Sequence, residues 1–217
     1  LEPTDRPLAQ ADVMSVEGSN CGGPFEGGAL YVQARHGDRV GNYCVTMPMA
    51  SGPAITWGRE LFGEPKKDAT VDFDRDGDRI EAAVERHGES VIGIDATMER
   101  AESVDPEPRS VFHYKCLPDV TGGGFQFDPR LVAVTLEAEV HEYEVGTGTL
   151  SLATTTHDPL GELAVREPLE ATYSVTDVAS SQEEVTAVDS EAFAPYAFGG
   201  GRVDDWLALD DTADASQ

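Results

Sequence analysis

The 217-residue chain carries 41 acidic against 15 basic residues, a formal net charge of −26 at pH 7. Nucleic acid and anionic membranes repel such a surface, which argues against both as partners. No run approaches the roughly 20 apolar residues of a membrane span, and the three cysteines, Cys21, Cys44 and Cys116, lack the pairing or CxxC spacing of a disulfide framework or a thiolate zinc site.

In chain order, Leu1-Glu2-Pro3-Thr4 shows neither a signal-peptide pattern nor an initiator Met. A reducing, cytoplasmic setting is expected, with native residues missing ahead of Leu1. Period-two alternation between Gly, Asp-Gly and Pro breaks predicts strands over 29–34, 43–47, 70–73, 79–85, 90–98, 111–116, 131–143, 148–153 and 169–178. Helical patterning is confined to 53–61, 190–196 and 203–209. A single mainly β domain over 1–217 is expected, with 1–20 as an N-terminal arm and 204–217 as an acidic tail.

Several motifs dissolve on inspection. Asp72-Phe73-Asp74-Arg75-Asp76-Gly77-Asp78 matches the first half of a calcium loop, but Ala83 stands where the bidentate Glu is required and the flanks read as strands. A hairpin turn at Asp76-Gly77 accounts for the same letters. Gly122-Gly123-Gly124 lacks the strand, helix and lysine of a phosphate loop. His36, His87, His113, His141 and His157 are scattered, without metal-ligand spacing. Neither metal nor cofactor is expected.

The lysines are more informative. There are three, Lys66, Lys67 and Lys115, against twelve arginines, and two of them are adjacent in Gly58-Arg59-Glu60-Leu61-Phe62-Gly63-Glu64-Pro65-Lys66-Lys67. An amine, unlike a guanidinium, can lose its proton, attack a carbonyl and form a Schiff base. Arg59-Glu60 reads as a structural ion pair bracing the loop, and Lys115, alone on a strand, as the partner of an inward carboxylate.

Phe25-Glu26-Gly27-Gly28, Gly41-Asn42-Tyr43, Gly58-Arg59-Glu60 and Gly63-Glu64-Pro65-Lys66-Lys67 follow one another at the spacing of a known family. With Tyr114-Lys115-Cys116-Leu117-Pro118 and Gly146-Thr147-Gly148-Thr149-Leu150 downstream, residues 22–178 resemble the acetoacetate decarboxylase family. The resemblance implies a cone-like antiparallel β-barrel with a few short helices, a homo-oligomer, no cofactor and a small keto-acid substrate. By position it makes Lys66 the Schiff-base nucleophile, Lys67 the neighbour that tunes it, and Glu26 the active-site glutamate that orients groups or shuttles protons. Lys66 is then expected to line an enclosed pocket within a few ångströms of Glu26, with Lys67 on the opposite face.

The implied reaction is decarboxylation of a β-keto acid such as acetoacetate, with the iminium as electron sink. A free lysine, pKa about 10.4, is roughly 0.04% neutral at pH 7, so a nucleophilic lysine needs burial or a neighbouring cation, the means by which this family is known to activate it. Glu64 departs from the pattern, standing where many members carry an aromatic. A carboxylate there leaves room for aldol condensation and dehydration of pyruvate-like keto acids. A noncatalytic barrel that binds a small ligand is the alternative from outside enzymology.

The acidic surface with scarce lysine resembles proteins of salt-accumulating halophiles. At molar salt the Debye length falls to about 3 Å and like charges cease to repel across the surface. The melting temperature should therefore rise from dilute buffer towards molar KCl, and a salt-independent value in a thermal scan would remove the halophilic interpretation.

Overall fold

Alternating apolar and polar positions assemble into eleven strands in the computed structural model, which describes residues 1–198 apart from Pro7 and Cys21. They are β1 (Glu2–Pro3), β2 (Ala9–Val16), β3 (Phe25–His36), β4 (Arg39–Met49), β5 (Lys66–Asp68), β6 (Thr70–Asp76), β7 (Arg79–Arg86), β8 (Glu89–Ala101), β9 (Arg109–Lys115), β10 (Arg130–Leu152) and β11 (Ala171–Ala187). A short helix α1 (Gly52–Trp57) runs into a π-helical turn (Gly58–Phe62), and α2 (Ser190–Phe198) follows β11. The helix expected over 203–209 and the acidic tail lie outside the described residues.

All strands belong to one sheet of order β1-β3-β4-β9-β10-β8-β7-β6, with β2 on β3, β5 on β4 and β11 on β10. Most pairs are antiparallel, as expected, but β4 runs parallel to both β5 and β9. The expected barrel is not closed. The ladder ends at β6 on one side and at β1 and β2 on the other, and the ends meet through side chains. Leu30 and Val84 pack with Ala11 and Val13 of β2 and Val71 of β6 in one apolar cluster. Contact there is close enough that a Cβ on Gly28 would fall 2.5 Å from Val84 Cγ2.

The predicted strands 131–143 and 148–153 are one continuous β10, because Gly146 and Gly148 serve close approach and not a turn. A Cβ at Gly146 would lie 1.9 Å from the Thr97 carbonyl oxygen, and one at Gly148 2.7 Å from that of Asp95. The stretch expected as an arm contains β2, which is built into the sheet alongside β3. The Asp76-Gly77 hairpin forms as expected, with Gly77 at φ 64°.

Successive residues of β3 face opposite sides of the sheet. Ala29 and Tyr31 join a cluster with Cys44, Met47, Met49, Val111, Val132 and Val134, while Leu30 joins the cluster between the sheet ends. Strand β5 sits at the boundary and exposes almost nothing of its two lysines, at 8% for Lys66 and 7% for Lys67.

Burial of Lys67 requires a counter-charge, and Asp158 supplies it. Lys67 Nζ lies 3.1 Å from Asp158 Oδ1 and donates to the His157 carbonyl at 3.3 Å, while Arg86 Nε donates to Asp158 Oδ2 at 2.7 Å. Arg86 Nη1 also donates to the Asp68 carbonyl, and the Asp158 backbone N–H donates to Thr155 Oγ1 at 2.9 Å. The carboxylate thus ties β5, β7 and the loop after β10 together. Removing one member of a buried ion group typically costs about 3–5 kcal/mol. Asp158→Asn should lower the unfolding free energy by about that amount in urea titration at fixed salt. A change under about 1 kcal/mol would show that other contacts compensate Lys67 and Arg86.

Candidate active site

The motif around Lys66 folds from its own local chemistry. Ser51 caps α1 by accepting the Ala54 N–H at 3.4 Å, and Pro53 occupies the first turn, where no amide donor is needed. The chain then widens into the π turn, closed by the Glu64 N–H donating to the Gly58 carbonyl at 3.0 Å, with Gly63 in the left-handed region at φ 79°. Lys115 Nζ donates to the Leu61 carbonyl at 3.0 Å, so this lysine braces the turn, and among the described residues it does not pair with the expected inward carboxylate. A Cβ on Gly63 would meet Lys115 Cα at 2.5 Å.

This turn delivers Glu64 to Lys66. The parallel register of Met47 with Lys66 places the lysine side chain on the face of Tyr31, Cys44, Met47 and Met49. Its Nζ lies 2.7 Å from Glu64 Oε2 and 5.6 Å from the centre of the Phe25 ring, with the two charged side chains only 9% and 17% exposed. Glu64 Oε2 is buried and lacks a directed hydrogen bond, so its contact with the amine is one of charge and not of aligned lone pair and N–H. Gly58 makes room for both: a Cβ there would fall 2.4 Å from Glu64 Oε2 and 2.4 Å from Lys66 Cδ. Arg59 Nη1 donates to the Lys66 carbonyl at 2.8 Å and fixes the lysine's backbone.

The structure separates the three residues named from the sequence. Lys66 is at the centre of this group. Lys67, one residue on, points to the other face and is held by Asp158, where it lines an open depression of about 270 Å³ with Asp68, Thr70, Arg86 and His87. That depression beside β5 lies on the Lys67 side. Glu26 is exposed, its backbone carbonyl accepting from the Ala50 N–H at 2.9 Å. Alternation along β3 turns its neighbour Phe25 towards Lys66 in its place. The carboxylate at the amine is Glu64.

Further polar groups share the Lys66 face. The β2–β3 register pairs Asp12 with Ala29 and Gln10 with Tyr31. Gln10 Nε2 donates to Asp12 Oδ1 at 2.7 Å, and Arg109 Nη1 reaches Gln10 Oε1 at 3.3 Å. Burial raises the Asp12 pKa against the Gln10 hydrogen bond and the Arg109 charge. Burial also raises the Tyr31 phenol well above its ordinary range, with Cys44, Asp12 and Glu64 adding to the rise and Arg109 opposing it. Tyr31 is thus a neutral hydroxyl within the electrostatic reach of Glu64. Neither it nor Asp12, Arg86 or Asp158 stood out in the sequence, since each is a lone residue without a motif. No group of three or more His, Cys, Asp or Glu arranged to hold a metal occurs among the described residues.

Known proteins bear on this arrangement. The chain is 27% identical over 171 residues to the CLA biosynthesis isomerase of Lactiplantibacillus plantarum, covering 69% of this chain and only 60% of that protein's length. It is 25% identical over 196 residues to the acetoacetate decarboxylase of Clostridium botulinum, covering 85% and 77% of the two chains. A solved acetoacetate decarboxylase superposes with a TM-score of 0.78 at 21% identity, over 85% of this chain and 78% of that one. The enduracididine biosynthesis enzyme MppR, in complex with pyruvate, shares the fold with a TM-score of 0.61 at 18% identity, over 76% and 68%. The sequence profile of the family described as acetoacetate decarboxylase (ADC) matches residues 1–189, and the chain belongs to the acetoacetate decarboxylase family.

Proposed function

We propose that the chain is a cofactor-independent carbon–carbon lyase that decarboxylates a β-keto acid such as acetoacetate through an imine on Lys66. The supporting observation is the buried Lys66 amine, packed against Phe25 in a slot that Gly58 leaves open. Lys66 attacks the ketone and water leaves, giving an iminium. The C–C bond to the carboxylate breaks, CO2 departs, and the electron pair enters the iminium to give an enamine. Protonation at carbon and hydrolysis return the ketone and the free amine. Lys67 serves by fixing β5 through Asp158, and Glu26 takes no part in the imine step.

The proposal extends to a homo-oligomer in a salt-rich, reducing cytoplasm. It is supported by the net charge of −26, by the lack of paired or CxxC cysteine spacing in the sequence, and by the exposed Trp57 and Leu61 beside the lysine motif. No helix among the described residues is long and apolar enough to cross a membrane. A second reaction on the same iminium, aldol condensation and dehydration of a pyruvate-like acid, is favoured by the carboxylate at 2.7 Å from the amine and by the shared fold of the pyruvate-bound MppR.

Borohydride reduction with acetoacetate should add one substrate-derived adduct per chain, located at Lys66 by peptide mass mapping. Lys66→Arg keeps the charge but cannot form an imine, so adduct and turnover should both fall to background while the circular dichroism is retained. Labelling at Lys115 or Lys67 would overturn the assignment. CO2 release from acetoacetate, against consumption of pyruvate without CO2, separates the two reactions.

A further inference from the structure

We infer that Glu64 is a catalytic acid/base residue, the group that delivers the proton to the substrate carbon and removes it again; this rests on the imine at Lys66. General acid–base catalysis requires a carboxyl within hydrogen-bond reach of the reacting atoms, and Oε2 is 2.7 Å from the nitrogen that becomes the iminium. The carbon to be protonated is two bonds from that nitrogen. A proton on Oε2 therefore needs only a short side-chain adjustment to reach it.

The side chain is placed by its backbone. The Glu64 N–H donates to Gly58, its carbonyl accepts from the Lys66 N–H at 2.8 Å, and the missing Cβ of Gly58 leaves the space that the carboxylate fills. Oε2 is buried and makes no directed hydrogen bond, so no other group among the described residues competes for its proton. Among the described residues, the other carboxylates of the region are committed or exposed. Asp12 accepts from Gln10, Asp158 is shared by Lys67 and Arg86, and Glu26, Glu60 and Asp68 are exposed.

The proton balance closes. Lys66 ammonium gives one proton to Glu64 carboxylate, and the resulting amine attacks the ketone. A proton moves from nitrogen to the former carbonyl oxygen, Glu64 donates its own to the same oxygen, and water leaves an iminium facing a carboxylate. Loss of CO2 gives a neutral enamine, Glu64 takes up one proton from solvent water, and it passes this proton to the enamine carbon. The net consumption is one proton per keto acid, as decarboxylation requires.

Proton transfer at carbon can be measured without CO2 loss, by deuterium exchange into the methyl groups of acetone in D2O, followed by NMR on the full-length chain. Glu64→Gln should retain end-point borohydride labelling at Lys66, since an amide preserves the shape, while exchange falls by about 10²–10⁴-fold. Glu64→Asp should recover part of that loss, and it carries the test if the Gln variant does not fold. The exposed Glu60→Gln should exchange as the parent does, whereas an equal loss there would mark a general charge effect and overturn the inference. Labelled Glu64→Gln with undiminished exchange would reduce Glu64 to a counter-ion and overturn it while leaving the imine standing. Absence of any labelling in the unmodified chain would remove the imine itself, and the role of Glu64 with it.

Discussion

Two ammonium groups one residue apart cannot both be buried unless each meets a carboxylate, and extended backbone sends them to opposite faces. That constraint organises the structure. Lys66 draws Glu64 from the π turn, and Lys67 draws Asp158 from the loop after β10. The three-residue strand β5 is thereby fixed from both sides, and the elements that supply the carboxylates are fixed with it. The π turn can present Glu64 because Gly58 and Gly63 let it pack against Lys66 and Lys115, so the glycines of the motif are explained by space and backbone sign rather than by chemistry.

The opposite faces also change the part that the second lysine can play. Its charge is paired with Asp158, whose other oxygen is taken by Arg86. A cation held in such a group acts on Lys66 across the sheet, while Glu64 acts on it in direct contact. The direct electrostatic partner of Lys66 is therefore a carboxylate, and under the proposed chemistry its influence suits proton transfer better than the removal of a proton by repulsion. The sequence relatives include proteins named as an isomerase and as decarboxylases, and one fold can host different chemistries.

Much of this was legible in the sequence. Period-two runs located most strands from β3 to β11, Asp76-Gly77 marked its hairpin, and the Gly-Arg-Glu to Pro-Lys-Lys segment marked the lysine. Glu64 was visible as a departure from a pattern. What failed did so for reasons of long range. Gly146 and Gly148 read as a break because sequence shows a missing side chain but not the Thr97 and Asp95 carbonyls that occupy its place. Asp158 lies 91 residues from Lys67, and nothing local announces that contact. Glu26 matched a motif whose neighbour, Phe25, is the one turned inward, and a one-residue difference in strand phase is enough to exchange them. Barrel closure depends on whether edge strands hydrogen-bond, which the alternation of β2 and β6 does not specify.

The acidic surface and the buried site operate on different length scales. At molar salt, charges more than about 3 Å apart through solvent are screened from one another, so most of the 41 acidic residues lose their hold on Lys66. Glu64, in buried contact at 2.7 Å, keeps its own. Rising salt thus weakens repulsion among the surface charges while leaving the contact between Glu64 and the amine. The surroundings of the Lys66 amine are thus set by one enclosed ion pair, placed by the π turn, more than by the field of the whole protein, which is what the proposed imine chemistry asks of a chain of this charge.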